Sequence, residues 1–305
     1  MRTAPASPTA AQVLEAVRRT WLPEAEQAIH LPLGFGAHHW RIDGPEGPTL
    51  FATLDRPSPT RSAGSFTATY LGARELRAGG LPGVLAPCAG AEGRVTIRVD
   101  GALLSVTPWR EGRTPTEAEA GGAGHAQRVS ALLDGLHEAR APEVLRPWAA
   151  RVSPGLAARL EERTGSAWTM GPMGETARAL LRGAAPRIRE IEGRYRELVA
   201  LESTRAHRRV PTHGEPHHAN QLLTVDDELL LVDWETLALA PRERDLAALP
   251  PQLRVARGAD PAMSELFDLE WTLSEVEEYM RWFSAPHMGT EDDEIALQGL
   301  RDELT

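Results

Sequence analysis

The sequence predicts an α+β chain in two parts. An antiparallel sheet with one helix is expected over residues 1–109, and a larger, mainly helical part over 110–305. Two observations carry this division. Short apolar and β-branched runs separated by Gly, Pro and Asp turns dominate up to Trp109. From Ala126 onward, apolar residues recur at helical spacing with one hairpin among them. A third observation bounds the class. With 42% hydrophobic and 25% charged residues, the 305-residue chain has ordinary globular composition and enough length for a sizeable core.

Residues 9–19 read as a first helix, with Thr9 as its cap and Val13, Leu14 and Val17 on one face. LPLGFGAHHWRID (31–43) and TLFATLD (49–55) read as strands around a GPEGP turn. FTATYLGARELRAG (66–79) reads as a helix. GRVTIRV and ALLSVTPW, joined by an Asp-Gly turn, give a hairpin signal over 93–109. The two parts join near Pro108 to Thr114, and the glycines of 121–124 mark a short linker or loop. AQRVSALLDGLHEAR (126–140) is amphipathic, with Val129, Leu132, Leu133 and Leu136 on one side. Helical patterns recur at 154–164, 175–201 and 264–283. QLLTV, Asp226-Asp227 and ELLLVDW form the intervening hairpin. There is no internal repeat and no coiled-coil heptad pattern.

The chain has no lysine, so all 33 basic residues are arginine. A net charge of −10 and a pI of about 5.5 argue against nucleic acid, which requires a basic face. Thirteen Asp or Glu stand against two Arg (Arg281 and Arg301) between Asp260 and Thr305. A solvated helical surface is the commoner reading of such a stretch. The sharper one is a wall that attracts a cationic substrate. The single cysteine, Cys88, excludes an internal disulfide and points to a reducing compartment. The first residues lack the roughly 7–15-residue apolar core of a signal peptide. No run approaches the ~20 apolar residues of a membrane span. The expectation is a soluble cytoplasmic protein with no membrane or nucleic-acid partner.

The stretch most telling for function is THGEPHHANQLL, residues 212–223. Three histidines first suggest zinc. His213 and His217 have the i,i+4 spacing with Glu215 between, but Gly214 and Pro216 break the helix that such a site needs. No Ser or Cys elbow accompanies the histidines, so a nucleophile with its base fails as well. The spacing fits phosphoryl transfer. A kinase catalytic loop carries a carboxylate that accepts the hydroxyl proton, then an Asn for the metal, then an Asp beyond a short hairpin. Glu215, Asn220 and Asp233 occur in that order and at that spacing. A polar loop and a strand-end cap would explain any one of the three. The ordered set makes that the weaker reading.

HGEPHHANQLL, LLLVDWETLALAPRERDLA and the spacing between them resemble the aminoglycoside phosphotransferase family, in particular its spectinomycin-phosphotransferase-like branch. The family signature is His-Gly-Asp, four residues, Asn, then a hairpin and an Asp, followed by a run matched here by Ala240 to Leu246. The resemblance covers most of the chain. It implies a protein-kinase-like fold of two lobes: an N-terminal antiparallel-sheet lobe over 1–109 that binds nucleotide, and a larger helical C-terminal lobe over 110–305 for catalysis and substrate. It implies ATP and Mg²⁺ as cofactors and the hydroxyl of a small alcohol as acceptor, cationic if the acidic C-terminal part faces it. Glu215 is then the residue that orients or deprotonates the hydroxyl, with His213 bracing the loop. Asn220 and Asp233 are then the metal ligands, and Asp245 a buried brace. Gly34 and Gly36 lie where the family has its phosphate-covering loop. Thr107, Pro108 and Trp109 resemble the hinge that holds adenine, although a plain strand end explains the letters equally. His137 is expected to be structural, whereas Glu235 reads either as a further metal or water contact or as a surface residue.

Two departures stand out. Glu215 replaces the family's usual Asp. The strand that should carry a phosphate-binding lysine, LFATLD, offers Thr53 instead. Glu75 is the candidate for the lysine's usual helix partner, and Arg41, Arg56 and Arg61 are the nearest cations that could take over. Two classes of function follow. One is an active kinase for an aminocyclitol-like or other small alcohol, with antibiotic resistance as an implied role, or for Ser/Thr of a precursor peptide. The other is a kinase-fold binding protein without turnover. Glu270, Glu275, Glu277 and Glu278 are substrate candidates by region alone.

Overall fold

The computed structural model describes residues 1–34, 36–58 and 61–304. Helix α1 (Ala10–Thr20) starts at the predicted cap, where Thr9 and Gln12 satisfy each other's backbone N–H groups. Strands β1 (Gln27–Leu31), β2 (His38–Gly44) and β3 (Gly47–Asp55) follow, then helix α2 (Ala63–Ala78), β4 (Ile97–Val99) and β5 (Ala102–Pro108). The five strands form one antiparallel sheet in the order β1-β2-β3-β5-β4. The stretch read as one strand over 31–43 is therefore the end of β1, a turn, and β2. Pro32 has no N–H for the ladder, and Gly34 and Gly36 take φ of +66° and +91°, which ends the pairing.

The period-2 alternation sorts the sheet into two faces. Trp40, Ile42, Ala52, Leu54, Leu104 and Val106 pack on one side with Val13 and Val17 of α1. Leu103 faces the other side with Phe66 and Tyr70 of α2. Ser62 caps α2 by accepting from the Ser65 N–H.

Strand β6 (Gly112–Arg113), the single turn α3 (Glu117–Ala120) and α4 (Ala123–Glu138) come next. The sequence marks only 121–124 as a linker or loop and assigns no element to 111–120. A Thr116–Glu119 capping box is strong enough to hold one helical turn there. After helices α5 (Leu156–Thr164) and α6 (Gly174–Ser203) come strands β7 (Val210–Thr212), β8 (Gln221–Thr224), β9 (Leu229–Leu231) and β10 (Ala238–Ala240). Helices α7 (Glu243–Leu246), α8 (Pro251–Ala256), α9 (Pro261–Phe283) and α10 (Glu291–Glu303) complete the chain. β8 and β9 are the predicted hairpin, with β6 as its third strand, and β7 pairs with β10. Helix α10 had no counterpart in the sequence reading. Its Thr290–Asp293 capping box was the available signal.

The chain forms two compact units, Met1–Trp148 with Arg208–Gly258, and Ala149–His207 with Ala259–Thr305. In the second unit the acidic residues serve the fold. Glu192 accepts from the N–H groups of Gly155, Leu156 and Ala157 at 2.8–3.0 Å, capping α5. Glu270 is buried and accepts from the Arg151 N–H and the Tyr195 hydroxyl. Glu277 pairs with Arg159, Glu278 with Arg281, and Glu275 hydrogen-bonds Tyr279. The four glutamates picked by region alone are thus engaged within this unit, and local contacts account for them. Among the described residues no helix is long and apolar enough to cross a membrane.

Candidate active site

β7 delivers the chain to His213 and Gly214 at a turn that few other residues could make. Gly214 has φ +99°, and a Cβ there would lie 2.1 Å from the Arg244 guanidinium. Arg244 is itself buried, donating to Thr212 Oγ1 (3.0 Å) and the Thr236 carbonyl (2.9 Å). Beside it, fully buried Asp245 accepts from the backbone N–H of His213 (3.0 Å) and Gly214 (2.6 Å) and from His137 Nε2 (2.9 Å). Burial pushes the Asp245 carboxyl up. The His137 hydrogen bond and the charges of His137, His213 and Arg244 outweigh this and leave it below the usual carboxylate value.

His213 is read unambiguously from its partners. Its Nε2 lies 2.8 Å from the Val232 carbonyl, which can only accept, and its Nδ1 lies 3.3 Å from the Glu215 N–H, which can only donate. The ring is therefore a neutral tautomer with the proton on Nε2. Burial is the largest cause that lowers its pKa, to about 4, and Trp234 packs against it at 4.6 Å between ring centroids. So positioned, His213 ties the Glu215 backbone to the strand end before Asp233.

Asn220 closes the loop. Its Nδ2 donates to the Glu215 carbonyl (2.9 Å), and its own carbonyl accepts from the Val232 N–H (3.0 Å). Gln221 is buried between the Pro216 carbonyl (2.8 Å) and His125 of α4 (2.6 Å). His217 and His218 line a hollow of about 270 Å³ together with Glu117 and Arg254. Asp233 follows β9 in the left-handed region at φ +62°, a conformation rare for a residue with a Cβ.

Glu215, Asp233, Glu235 and Asp55 act on one another here. Burial within the surrounding protein, then Glu235, Asp55 and Glu215, push the Asp233 carboxyl well above the usual carboxylate range, although one face of it reaches solvent. Burial and then Glu235 raise Asp55 to about 7, even though the Tyr70 hydroxyl donates to it at 2.7 Å. Among the described residues no three His, Cys, Asp or Glu side chains gather into a ready metal cluster, but Asp233 offers the hard oxygen donor that a divalent cation takes. Asn220 uses its amide nitrogen within the loop, which leaves its side-chain oxygen as an additional hard donor. The residues present therefore fit Mg²⁺.

The remaining sequence candidates lie on the sheet. The His39 and Phe51 rings stack at 5.0 Å, with Trp109 at 6.4 Å from Phe51. Thr107 is the ladder partner of Phe51, and Thr53 meets His39 at 3.2 Å. The Trp109 indole N–H donates to Glu111 (2.7 Å). Gly34 and Gly36 bracket the β1–β2 turn, whose middle residue, Phe35, lies outside the described residues. Thr53 and Glu75 are not brought together, because Glu75 is exposed on α2. The bond that joins β3 to α2 runs from Tyr70 to Asp55. Sequence reasoning missed both, yet strand parity was the signal: Asp55 shares a face with Thr53, two residues along.

A five-stranded antiparallel sheet with a companion helix, followed by a Glu215/Asn220/Asp233 constellation in a helical region, defines a protein-kinase-like phosphotransferase. Residues 27–283 match the phosphotransferase enzyme family, and the chain belongs to it. It is 30% identical over 259 residues to Protein StrN of Streptomyces griseus, covering 78% of this chain and 76% of that protein. Its fold is similar to spectinomycin phosphotransferase solved with ADP and spectinomycin, with TM-score 0.75, 14% identity and coverage of 97% and 94%. It is also similar to an aminoglycoside 2′-phosphotransferase solved with GDP, with TM-score 0.58, 12% identity and 97% of each chain covered. The protein is a phosphotransferase whose acceptor group is a hydroxyl.

Proposed function

We propose that this protein transfers the terminal phosphoryl group of ATP, with Mg²⁺, to a hydroxyl of a small aminocyclitol-like alcohol. What carries the reading is the convergence of Glu215, Asn220 and Asp233 through shared backbone bonds: Asn220 to the Glu215 carbonyl, and Val232 to Asn220. Residues 1–109 serve as the nucleotide-binding lobe and 110–305 as the catalytic and substrate-binding lobe. Glu215 accepts a hydrogen bond from the acceptor hydroxyl and takes its proton as the new O–P bond forms and the bond from the terminal phosphorus to the bridging oxygen breaks, ADP leaving with that oxygen's electron pair. Asn220 and Asp233 hold the cation, with Glu235 as a further carboxylate. Bound Mg²⁺ neutralises charge on the phosphate oxygens. Neutral His213 holds the Glu215 backbone and takes no proton. Thr53, Thr107 and Trp109 contact the nucleoside, and Gly34 and Gly36 allow the β1–β2 turn to approach the phosphates closely.

The glutamate in place of an aspartate is compatible with this chemistry, because a loose transition state draws on positioning and charge more than on proton removal. Spectinomycin phosphotransferase solved with spectinomycin, and a choline kinase of similar fold, support a small alcohol as acceptor. A second reading, a binding protein without turnover, is favoured by one observation. The side-chain bond from β3 to α2 is between Asp55 and Tyr70, and Thr53 stands where the resemblance expects the lysine.

The deciding experiment is thermal stabilisation by ATP, and in parallel by GTP, with and without Mg²⁺, in wild type and Asp233→Ala. A Mg²⁺-dependent shift lost in the variant supports the kinase, and transfer of labelled phosphate to aminocyclitols then identifies the acceptor class. Absence of any nucleotide shift in wild type overturns the reading.

A further inference from the structure

Resting on the nucleotide reading above, we propose that Arg61 is the phosphate-binding cation of this site, doing the task for which the chain has no lysine. The candidates nearest in sequence separate cleanly in space. Arg41 is committed to Asp43 on the same strand through two parallel hydrogen bonds of 2.8 and 3.0 Å. Arg56 is exposed and donates to the Ser7 carbonyl at 3.0 Å. Arg61 instead pairs with Glu235, two residues beyond Asp233.

Its setting is a built one. Ser58 and Arg61 exchange both backbone hydrogen bonds (2.9 and 3.1 Å), which ties the Arg61 backbone down just ahead of α2. The guanidinium carbon sits 5.2 Å over the Phe66 ring, and Phe66 packs beside Tyr70, the residue that holds Asp55. Glu215 and Asp233 act on the guanidinium after Glu235 does. Among the described residues the side chain makes a single hydrogen bond, from Nη1 to Glu235. Nε and Nη2 keep their N–H groups for another acceptor.

That combination separates a ligand-binding arginine from a simple latch. A guanidinium presents a planar fork of five N–H donors that matches the oxygens of a phosphate. One used donor leaves a fork edge available beside the residues proposed to hold the metal. Glu235 belongs to the same carboxylate group, so turning it to a cation releases Arg61 toward the phosphates. The charge of the place supports the assignment. Glu235 contacts the guanidinium, while Glu215, Asp233 and Asp55 act on it through their charge, and a polyanion needs a positive donor to approach such a group. Strand β3 itself supplies no cation toward this place: Thr53 meets His39, and Asp55 is held by Tyr70.

The test is calorimetric titration with ATP, ADP, AMP and adenosine in the presence of Mg²⁺, using wild type, Arg61→Gln, Arg61→Lys and Arg56→Gln. The expected result is that Arg61→Gln weakens ATP and ADP by about 10- to 100-fold, the scale of a hydrogen bond to a charged group. Adenosine affinity stays within about twofold, and Arg61→Lys recovers part of the loss. Arg56→Gln matches wild type throughout. A latch alone predicts equal loss for adenosine and ATP along with a lower Tm, and either that pattern or an unchanged ATP affinity overturns the proposal. If wild type binds none of the four ligands, the nucleotide reading itself has failed. Binding in wild type with no effect of Arg61→Gln sinks only the role of Arg61.

Discussion

In the 213–220 loop most braces come from the stretch that follows it: Val232, Thr236, Arg244 and Asp245 all bond back to residues 212–215. Around Asp55 and Arg61 the side-chain bonds reach across the chain: Asp55 to Tyr70 of α2, and Arg61 to Glu235 beyond β9. The first region is a closed system in which each residue has one geometry. The second is a set of pairings between distant elements. Under the roles proposed above, the catalytic geometry rests on backbone bonds among near neighbours, whereas phosphate is held by side chains that share only a neighbourhood.

Breaking the loop should have the largest effect. Asp233→Ala is expected to lower kcat by roughly 10³-fold or more, the scale of losing a charge-stabilising group in phosphoryl transfer. Steady-state kinetics with an identified acceptor would measure it. Glu215→Gln should cost about 10²–10⁴-fold in kcat while ATP affinity, read by calorimetry, stays near wild type. Retained turnover in Glu215→Gln would move the proton to another group.

Gly214→Ala tests the closed system itself. Both the φ of +99° and the overlap with Arg244 must be relieved, so a loss of about 3 kcal/mol or more is expected in denaturant unfolding. A near-neutral result would show that Arg244 is free to move.

The two regions should also differ in pH dependence. His213 has a folded pKa of about 4 against an ordinary 6.5, so the unfolded chain binds the extra proton first as pH falls. The stability it contributes is complete above pH 6.5 and is lost as pH drops toward 4. A shift of this size corresponds to roughly 3 kcal/mol when fully expressed. Asp55 works in the opposite sense. Its carboxyl rises from 3.8 to about 7, so the stability it contributes below 3.8 is lost as pH rises through 7. Mg²⁺ at the carboxylates should therefore raise Tm more at about pH 8 than at about pH 5. Equal shifts at both pH values would place the bound cation elsewhere.

The smallest effect should come from outside both regions. Thr9→Ala removes the reciprocal cap of α1 and should cost about 1 kcal/mol, or about 2 °C in Tm, with kinetics unchanged.

The sequence by itself determined the passage from a strand-rich part to a helical one, the spacing of the 212–223 loop and the hairpin that places Asp233. Each depends on near neighbours: glycine at a positive φ, a capping box, a strand of alternating faces. It also showed that a lysine was missing. What only the tertiary structure decided was the consequence of that absence. Thr53 faces His39, Glu75 faces solvent, Tyr70 holds Asp55, and Arg61 stands beside Glu235. The acidic stretch after Asp260 went the same way, because Glu270 and Glu277 find partners on residues more than a hundred positions earlier. Which charges meet depends on how distant elements pack, and spacing along the chain carries no record of that.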